Sequence, residues 1–393
     1  MGYLIDLFKS TRPRDLLFFS GYALYLVFSY MVFHSTTVLS SASANAAQIQ
    51  PLFLLASSGA RVFVFLAIAF SIALSMRFLT RPSTTIASIA TVAIALMSFV
   101  ILGMVFQFSH YLSGSEYIPW LLLGGGLLGL ADAIITLLWV RFSATLDLRT
   151  VYLFVLLSNA LSLVLYFLVT LLPVSVSLPV AAALFIVAAV FAKKALDVSK
   201  PEQWEYSRPV FFGTLRTVSQ PILGTAILFF LSGLMLQISG QKEIPLGEFQ
   251  LISLLTSAAV VICLLLPALF IKKPLNLGRL FSVALPLSAA GFLLLPIIWN
   301  AAGGIVNSLA QLGSMVASII LWCLLVQIIQ ETRLHPYLLF GIAFACTDFA
   351  LFAGSLIGFL NADTFTAQRH RTHHGSSACS LCAVHGHALP LQG

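Results

Sequence analysis

The chain has 393 residues, of which 60% are hydrophobic and 8% charged, with a formal net charge of +7 and a mean hydropathy of +1.02. Soluble domains carry about 25% charged residues, so a water-soluble globular fold is excluded and the surrounding solvent is lipid. In that setting the surplus of cations belongs to loops held on the cytoplasmic side rather than to nucleic acid.

The opening MGYLIDLFKSTRPRDLLFF is basic and then apolar, without a small-residue cleavage site. It predicts a retained first helix rather than a signal peptide. A membrane-spanning helix needs roughly 20 apolar residues. Runs that qualify cover 16–38, 51–76, 84–109, 118–140, 151–171 and 174–192, and then 221–239, 249–271, 280–299, 304–328 and 337–360. Only Leu172-Pro173 separates the fifth run from the sixth, which predicts a tight hairpin. The fold class is therefore all-α and polytopic, with about eleven transmembrane helices. Residues 1–192 form a six-helix half, 193–220 a polar cytoplasmic linker, 221–360 a five-helix half and 361–393 a tail.

Orientation follows from counting. With the N-terminus inside, inner segments hold 16 cations, from Lys9 to Arg333, whereas Lys242 is alone in the outer loops between spans. That asymmetry predicts a cytoplasmic N-terminus in a cell inner membrane. Trp120, Trp139 and Trp299 fall near the expected interfaces, as aromatic belts do. His110 and His335 fall at helix ends, where they are expected to be solvated.

Three charges lie inside spans, where each costs about 2.5–3.5 kcal/mol on insertion scales and usually faces the protein interior. At 1.5 Å per residue, Arg61, Asp132 and Asp348 all fall near mid-depth, roughly 14–18 Å from a helix end. Asp132 has no obvious partner in the sequence and is a candidate for binding a cationic ligand or a proton. Gly125 and Gly129, one turn before it, have the G-x-x-x-G spacing that lets helices approach closely. Gln107, Asn159, Gln237, Asn307, Gln311 and Gln327 either line a cavity or hydrogen-bond between helices. Cys263, Cys323 and Cys346 lie in apolar runs, as small buried thiols do.

Six helices, a basic inner linker and a second set spaced like the first resemble the major facilitator fold over about residues 14–360. The halves echo each other, with RFLTR and IKKPLNLGR after the second and eighth helices and RFSATLDLR and QETRLHP after the fourth and tenth. Such repeats are frequent in transporters. The chain departs from the family in two ways: Arg77-Phe78-Leu79-Thr80-Arg81 lacks the Gly and Asp of the signature loop, and a twelfth helix is missing. In that fold the second and eleventh helices touch across the two halves. The resemblance therefore implies that Arg61 and Asp348 pair there and latch one end of a cavity. The opening Gly21-Tyr22-Ala23-Leu24-Tyr25-Leu26-Val27-Phe28-Ser29 also resembles the membrane half of actinobacterial LuxR-type regulators, which place such a domain before a DNA-binding helix-turn-helix. No helix-turn-helix is recognisable here, so nucleic-acid binding is not expected of this chain.

In residues 361–393 apolar character collapses. Five of the eight histidines lie there, together with the C-x-x-C of Cys379 and Cys382. One reading is a disordered, low-complexity or out-of-frame end, with a frame shift near residue 363. The other is a metal site on Cys379, Cys382, His385 and His387, whose thiolates and imidazoles suit zinc or copper(I). On the outer side, the two thiols would instead form a disulfide.

The chain has no G-x-x-x-x-G-K-[ST], H-E-x-x-H or G-x-S-x-G, and no paired carboxylates recur at helical spacing within a span. No enzymatic activity and no cofactor are expected. Two functions follow, with the lipid bilayer and an unknown small-molecule ligand as partners. One is a truncated membrane sensor, the ligand-binding half of a LuxR-type regulator without its DNA-binding domain. The alternative is a secondary transporter that moves a small solute by alternating access.

Overall fold

The computed structural model describes residues 13–34, 38, 46–74, 84–108, 116–199, 204, 207–240, 254–255, 257–265 and 303–361. Among them are nine helices long and apolar enough to cross a membrane. They are α1 (Pro13–Ser29, continuing as a π-helical turn over Tyr30–His34), α2 (Ala46–Ala73), α3 (Thr84–Phe108), α4 (Ile118–Ala144), α5 (Leu148–Thr170), α6 (Ser177–Val198), α7 (Arg208–Gly240), α8 (Gly303–Thr332) and α9 (Pro336–Leu360). They correspond to the first seven apolar runs and to the tenth and eleventh. Residues 254–255 and 257–265 of the eighth run are helical. The rest of that run, the ninth run, the loop at 77–81, Lys242, Trp299, His110 and the tail with Cys379, Cys382, His385 and His387 lie outside the described residues.

Local chemistry sets the helix ends. Asp147 caps α5, accepting from the Thr150 backbone N–H at 3.1 Å and from its hydroxyl at 2.6 Å, as favoured N-cap residues do. The expected hairpin after α5 is a short bend followed by a 3-10 turn, Val174–Val176. The structure differs from the expected linker at both edges. α7 starts at Arg208, well before residue 221, and α6 runs on to Val198. The stretch 208–220 is amphipathic: Phe211 and Val218 are buried while Phe212 is exposed. Polar residues on one face lowered its apolar signal without stopping the helix.

The outer surface is apolar. Phe63, Leu66 and Phe70 are exposed on one face of α2, while Val64, Phe65 and Ala69 are buried on the other. Facing water, such a stripe would be an anomaly; facing lipid it is at equilibrium. Within the N-terminal half, α1 packs on α5 and α6, α2 on α4, and α3 on α4 and α6. α7 packs on α8 and α9, and the halves meet where α9 lies against α2 and α8 against α5. Trp139 is not in an interfacial belt. It is fully buried in a cluster with Tyr22, Phe142 and Phe154, whose ring centroids lie 5.4–6.1 Å from its own. A buried aromatic gains more from such packing than from the headgroup region. Trp120, half exposed at the start of α4, does face outward.

Candidate functional site

Close helix approach creates the site. A Cβ on Gly129 of α4 would lie 2.3 Å from the Ser57 carbonyl oxygen of α2, so only glycine permits this crossing. The expected G-x-x-x-G spacing is thus a packing device. Arg61 lies four residues beyond Ser57 and Asp132 three beyond Gly129, so the parallel helices carry both to the same level. α9 runs the opposite way and brings Asp348 to that level from the other half.

The three in-span charges converge on one another. Arg61 Nη1 lies 2.7 Å from Asp132 Oδ2, and Arg61 Nε donates to Asp348 Oδ2 at 2.9 Å. Arg61 Nη2 donates to Asp348 Oδ1 at 3.5 Å. The guanidinium therefore meets Asp348 with two nitrogens, as its fork geometry favours. Its contact with Asp132 Oδ2 is an ion pair without hydrogen-bond alignment. The Phe33 and Phe65 rings stand 5.9 and 6.0 Å from the guanidinium carbon and add cation–π contacts. One cation faces two carboxylates, so the triad carries a charge of −1 when all three are ionised.

Asp132 is fully buried and lies behind the cavity rather than in its wall. Its Oδ1 is 2.9 Å from the Tyr25 hydroxyl, which is 2.7 Å from Thr136 Oγ1. That hydroxyl in turn reaches the Asp132 backbone carbonyl at 2.7 Å. The sequence reading missed Tyr25 and Thr136. The available signal was a tyrosine in an apolar run at the level of a buried carboxylate.

A cavity of about 250 Å³ opens between the halves. Arg61, Asp348, Tyr25, Thr136, Trp322 and Asn159 line it, with His34 and Ser355 further along. Besides these residues of α2, α4 and α5, the lining comes from the parts of α1, α7, α8 and α9 remote from the end that bears Arg141, Lys193, Arg208 and Arg333. Toward that basic end an apolar cluster closes the space: Phe65, Ala69, Ile72, Leu137, Phe211 and Leu338 from both halves. The triad forms the cavity floor above this seal.

The remaining polar residues divide. Asn159 lines the cavity, whereas Gln107 is exposed and Gln327 donates to Glu331 at 2.9 Å. Gln237 is buried against the Gly358 backbone, and its Nε2 has no hydrogen-bond partner among the described residues. Asn307 and Gln311 lie on α8. His335 is not simply solvated. Its Nδ1 is buried without a hydrogen-bond partner among the described residues, and burial, reinforced by the Arg141 charge, lowers its pKa to about 4.

Two sets of apolar helices around a central cavity, with the second apolar run against the eleventh, define a major-facilitator-like membrane fold. The chain is similar to the crystal structure of the human organic anion transporter MFSD10 (TETRAN), with a TM-score of 0.60 over 90% of this chain and 95% of that one at 14% identity. At that identity the likeness is one of fold. No protein-family model and no curated protein sequence matches the chain.

Proposed function

We propose that this chain is a secondary transporter that moves a small organic solute by alternating access, with its N-terminus in the cytoplasm. One observation carries this reading. A central cavity is floored by an ion pair, Arg61 with Asp348, that joins one half of the fold to the other. Such a pair holds one end shut while intact, and its rupture lets the halves rock. The fold neighbour is an organic anion transporter; here the Arg61 guanidinium is already compensated by Asp132 and Asp348, so the test panel carries solutes of both signs. The reading assigns no catalysis.

The test starts with the purified chain in lipid vesicles. A panel of small organic anions and amines is screened for thermal stabilisation, and uptake of the strongest binder is then measured. Asp348→Asn is expected to lower uptake by at least about tenfold, because it removes the charge pair that latches one half to the other and leaves Arg61 paired only within its own half. If no compound stabilises the protein and none enters the vesicles, the proposal fails. The second reading, a ligand sensor of the LuxR-type membrane kind, rests on Gly21–Ser29 and on a loop at 77–81 that lacks the signature Gly and Asp. Binding without uptake would favour it.

A further inference from the structure

The charge of the cavity floor does not balance. Arg61 supplies one positive charge, and Asp132 and Asp348 supply two negative ones. Both Asp348 oxygens accept from the guanidinium, at 2.9 and 3.5 Å. Asp132 meets Arg61 Nη1 at 2.7 Å through Oδ2 and accepts from the Tyr25 hydroxyl at 2.9 Å through Oδ1. Each carboxylate thus faces a donor with both oxygens, the arrangement that favours the ionised form. The floor keeps one negative charge in excess, in a setting where an uncompensated charge is costly. Asp132 lies behind the wall and Asp348 in it, so Asp348 is the carboxylate within reach of a solute. The rest of the described lining does not correct the balance. Beyond Arg61 and Asp348, its titratable residues are His34, Tyr22, Tyr25 and Tyr30, and its serines, threonines and Asn159 are neutral.

The guanidinium is already engaged. Nε and Nη2 donate to Asp348, Nη1 faces Asp132, and the Phe33 and Phe65 rings stand 5.9 and 6.0 Å from its carbon. An anionic solute would have to displace a carboxylate to reach a donor, and its charge would add to that of the floor. A cation meets the opposite situation. A carboxylate has about four lone-pair sites, and those of Asp348 that Arg61 leaves open can take an ammonium group. Aromatic rings line the same cavity. The Tyr22 and Phe344 centroids lie 5.8 and 5.7 Å from that of Trp322, whose Nε1 donates to Ser143 Oγ at 3.2 Å and so fixes the indole in place. Aromatic faces attract cations, tryptophan most strongly.

We propose that this cavity takes a small organic monocation, an ammonium ion with an apolar body, with Asp348 as its counter-charge and Trp322 beside it. The inference rests on the reading of this cavity as the solute site and deepens it by assigning the sign of the solute's charge. One positive charge, and not two, matches the floor, and a volume of about 250 Å³ keeps the solute small. The sign is opposite to that of the solute named for the fold neighbour, whose likeness to this chain is one of fold.

Three solutes of one skeleton separate charge from shape: 3-phenylpropylammonium, 3-phenylpropanol and 3-phenylpropanoate. Their binding to the full chain in lipid nanodiscs is measured by calorimetry at about pH 8, above the ordinary imidazole range, where His34 adds no charge. The amine is expected to bind at least about tenfold tighter than the alcohol, and the carboxylate more weakly than either. Asp348→Asn removes the excess charge. It is expected to bring the amine down to the affinity of the alcohol, roughly a tenfold loss, with the alcohol unchanged. Asp348→Glu is expected to retain the preference. Trp322→Leu is expected to weaken the amine more than the alcohol, because only the amine loses a cation–π contact. An amine that does not bind or binds no better than the alcohol, a carboxylate that binds tightest, or a preference that survives Asp348→Asn would each overturn the proposal. An unchanged ratio of amine to alcohol in Trp322→Leu would overturn the part given to the indole. If Asp348→Asn does not fold, the order of the three solutes on the unaltered chain still decides. An amine that binds but does not enter vesicles would end the transport reading and leave the charge assignment standing. Uptake of the carboxylate would keep transport and overturn the assignment.

Discussion

At the scale of single residues, the contrast between Arg61 and His335 shows how surroundings assign roles. A guanidinium at mid-depth is costly alone, yet Arg61 is flanked by two carboxylates and two aromatic rings, so its charge is compensated within the protein. His335, between α8 and α9, has no such partner for its Nδ1 among the described residues. Its folded pKa of about 4 lies below the ordinary 6.5, so the fold favours the neutral ring. The resulting stability is complete above pH 6.5 and is lost as pH falls from there through 4. Thermal unfolding in detergent is therefore expected to shift to lower temperature over that window, and His335→Gln to flatten the shift. An unchanged slope in that variant would assign the acid sensitivity elsewhere. The three in-span charges were legible in the sequence because their cost in lipid marks them. Tyr25 and Thr136 were not, because a hydroxyl in an apolar run carries no comparable penalty until its partner is known.

Among elements, the helix crossings depend on missing side chains. A Cβ on Gly354 of α9 would lie 2.0 Å from the Phe230 carbonyl oxygen of α7, and Gly358 one turn on meets Leu234 and Gln237. This is the spacing of Gly125 and Gly129 used a second time, between two helices of the C-terminal half. At Gly126 an added Cβ meets nothing within 4 Å. Gly354→Val is expected to destabilise by at least about 1–3 kcal/mol, the usual cost of overpacking. Gly126→Ala is expected to be neutral or slightly stabilising, since alanine is the better helix former. Unfolding midpoints in detergent check both, and equal effects would show that the crossings tolerate a side chain. Helix positions were legible to within a few residues, with the start of α7 the clear exception, because the hydropathy of a run does not report an amphipathic turn at its end.

For the whole molecule, the distribution of cations makes a prediction independent of the site. Arg141 and Arg149 flank the turn after α4, whereas the bend after α5 carries no charge. A compartment reporter joined after Thr145 is expected to be cytoplasmic and one joined after Leu172 external. Identical answers would invalidate the orientation. On the proposed orientation the apolar cluster closes the cytoplasmic end, and the cavity is expected on the external side of its floor.

Composition and periodicity alone determined that lipid surrounds this chain, where most of its helices lie, and that three charged residues sit at mid-depth. These are properties of single segments against a solvent, and a segment carries its own transfer free energy. That Arg61 bridges two carboxylates from different halves, that Asp132 lies behind Tyr25 rather than in the cavity wall, and that glycines on α4 and α9 set the crossings were decided only by tertiary structure. Each depends on which helices pack together and at what depth, and lipid-exposed hydropathy is indifferent to that choice.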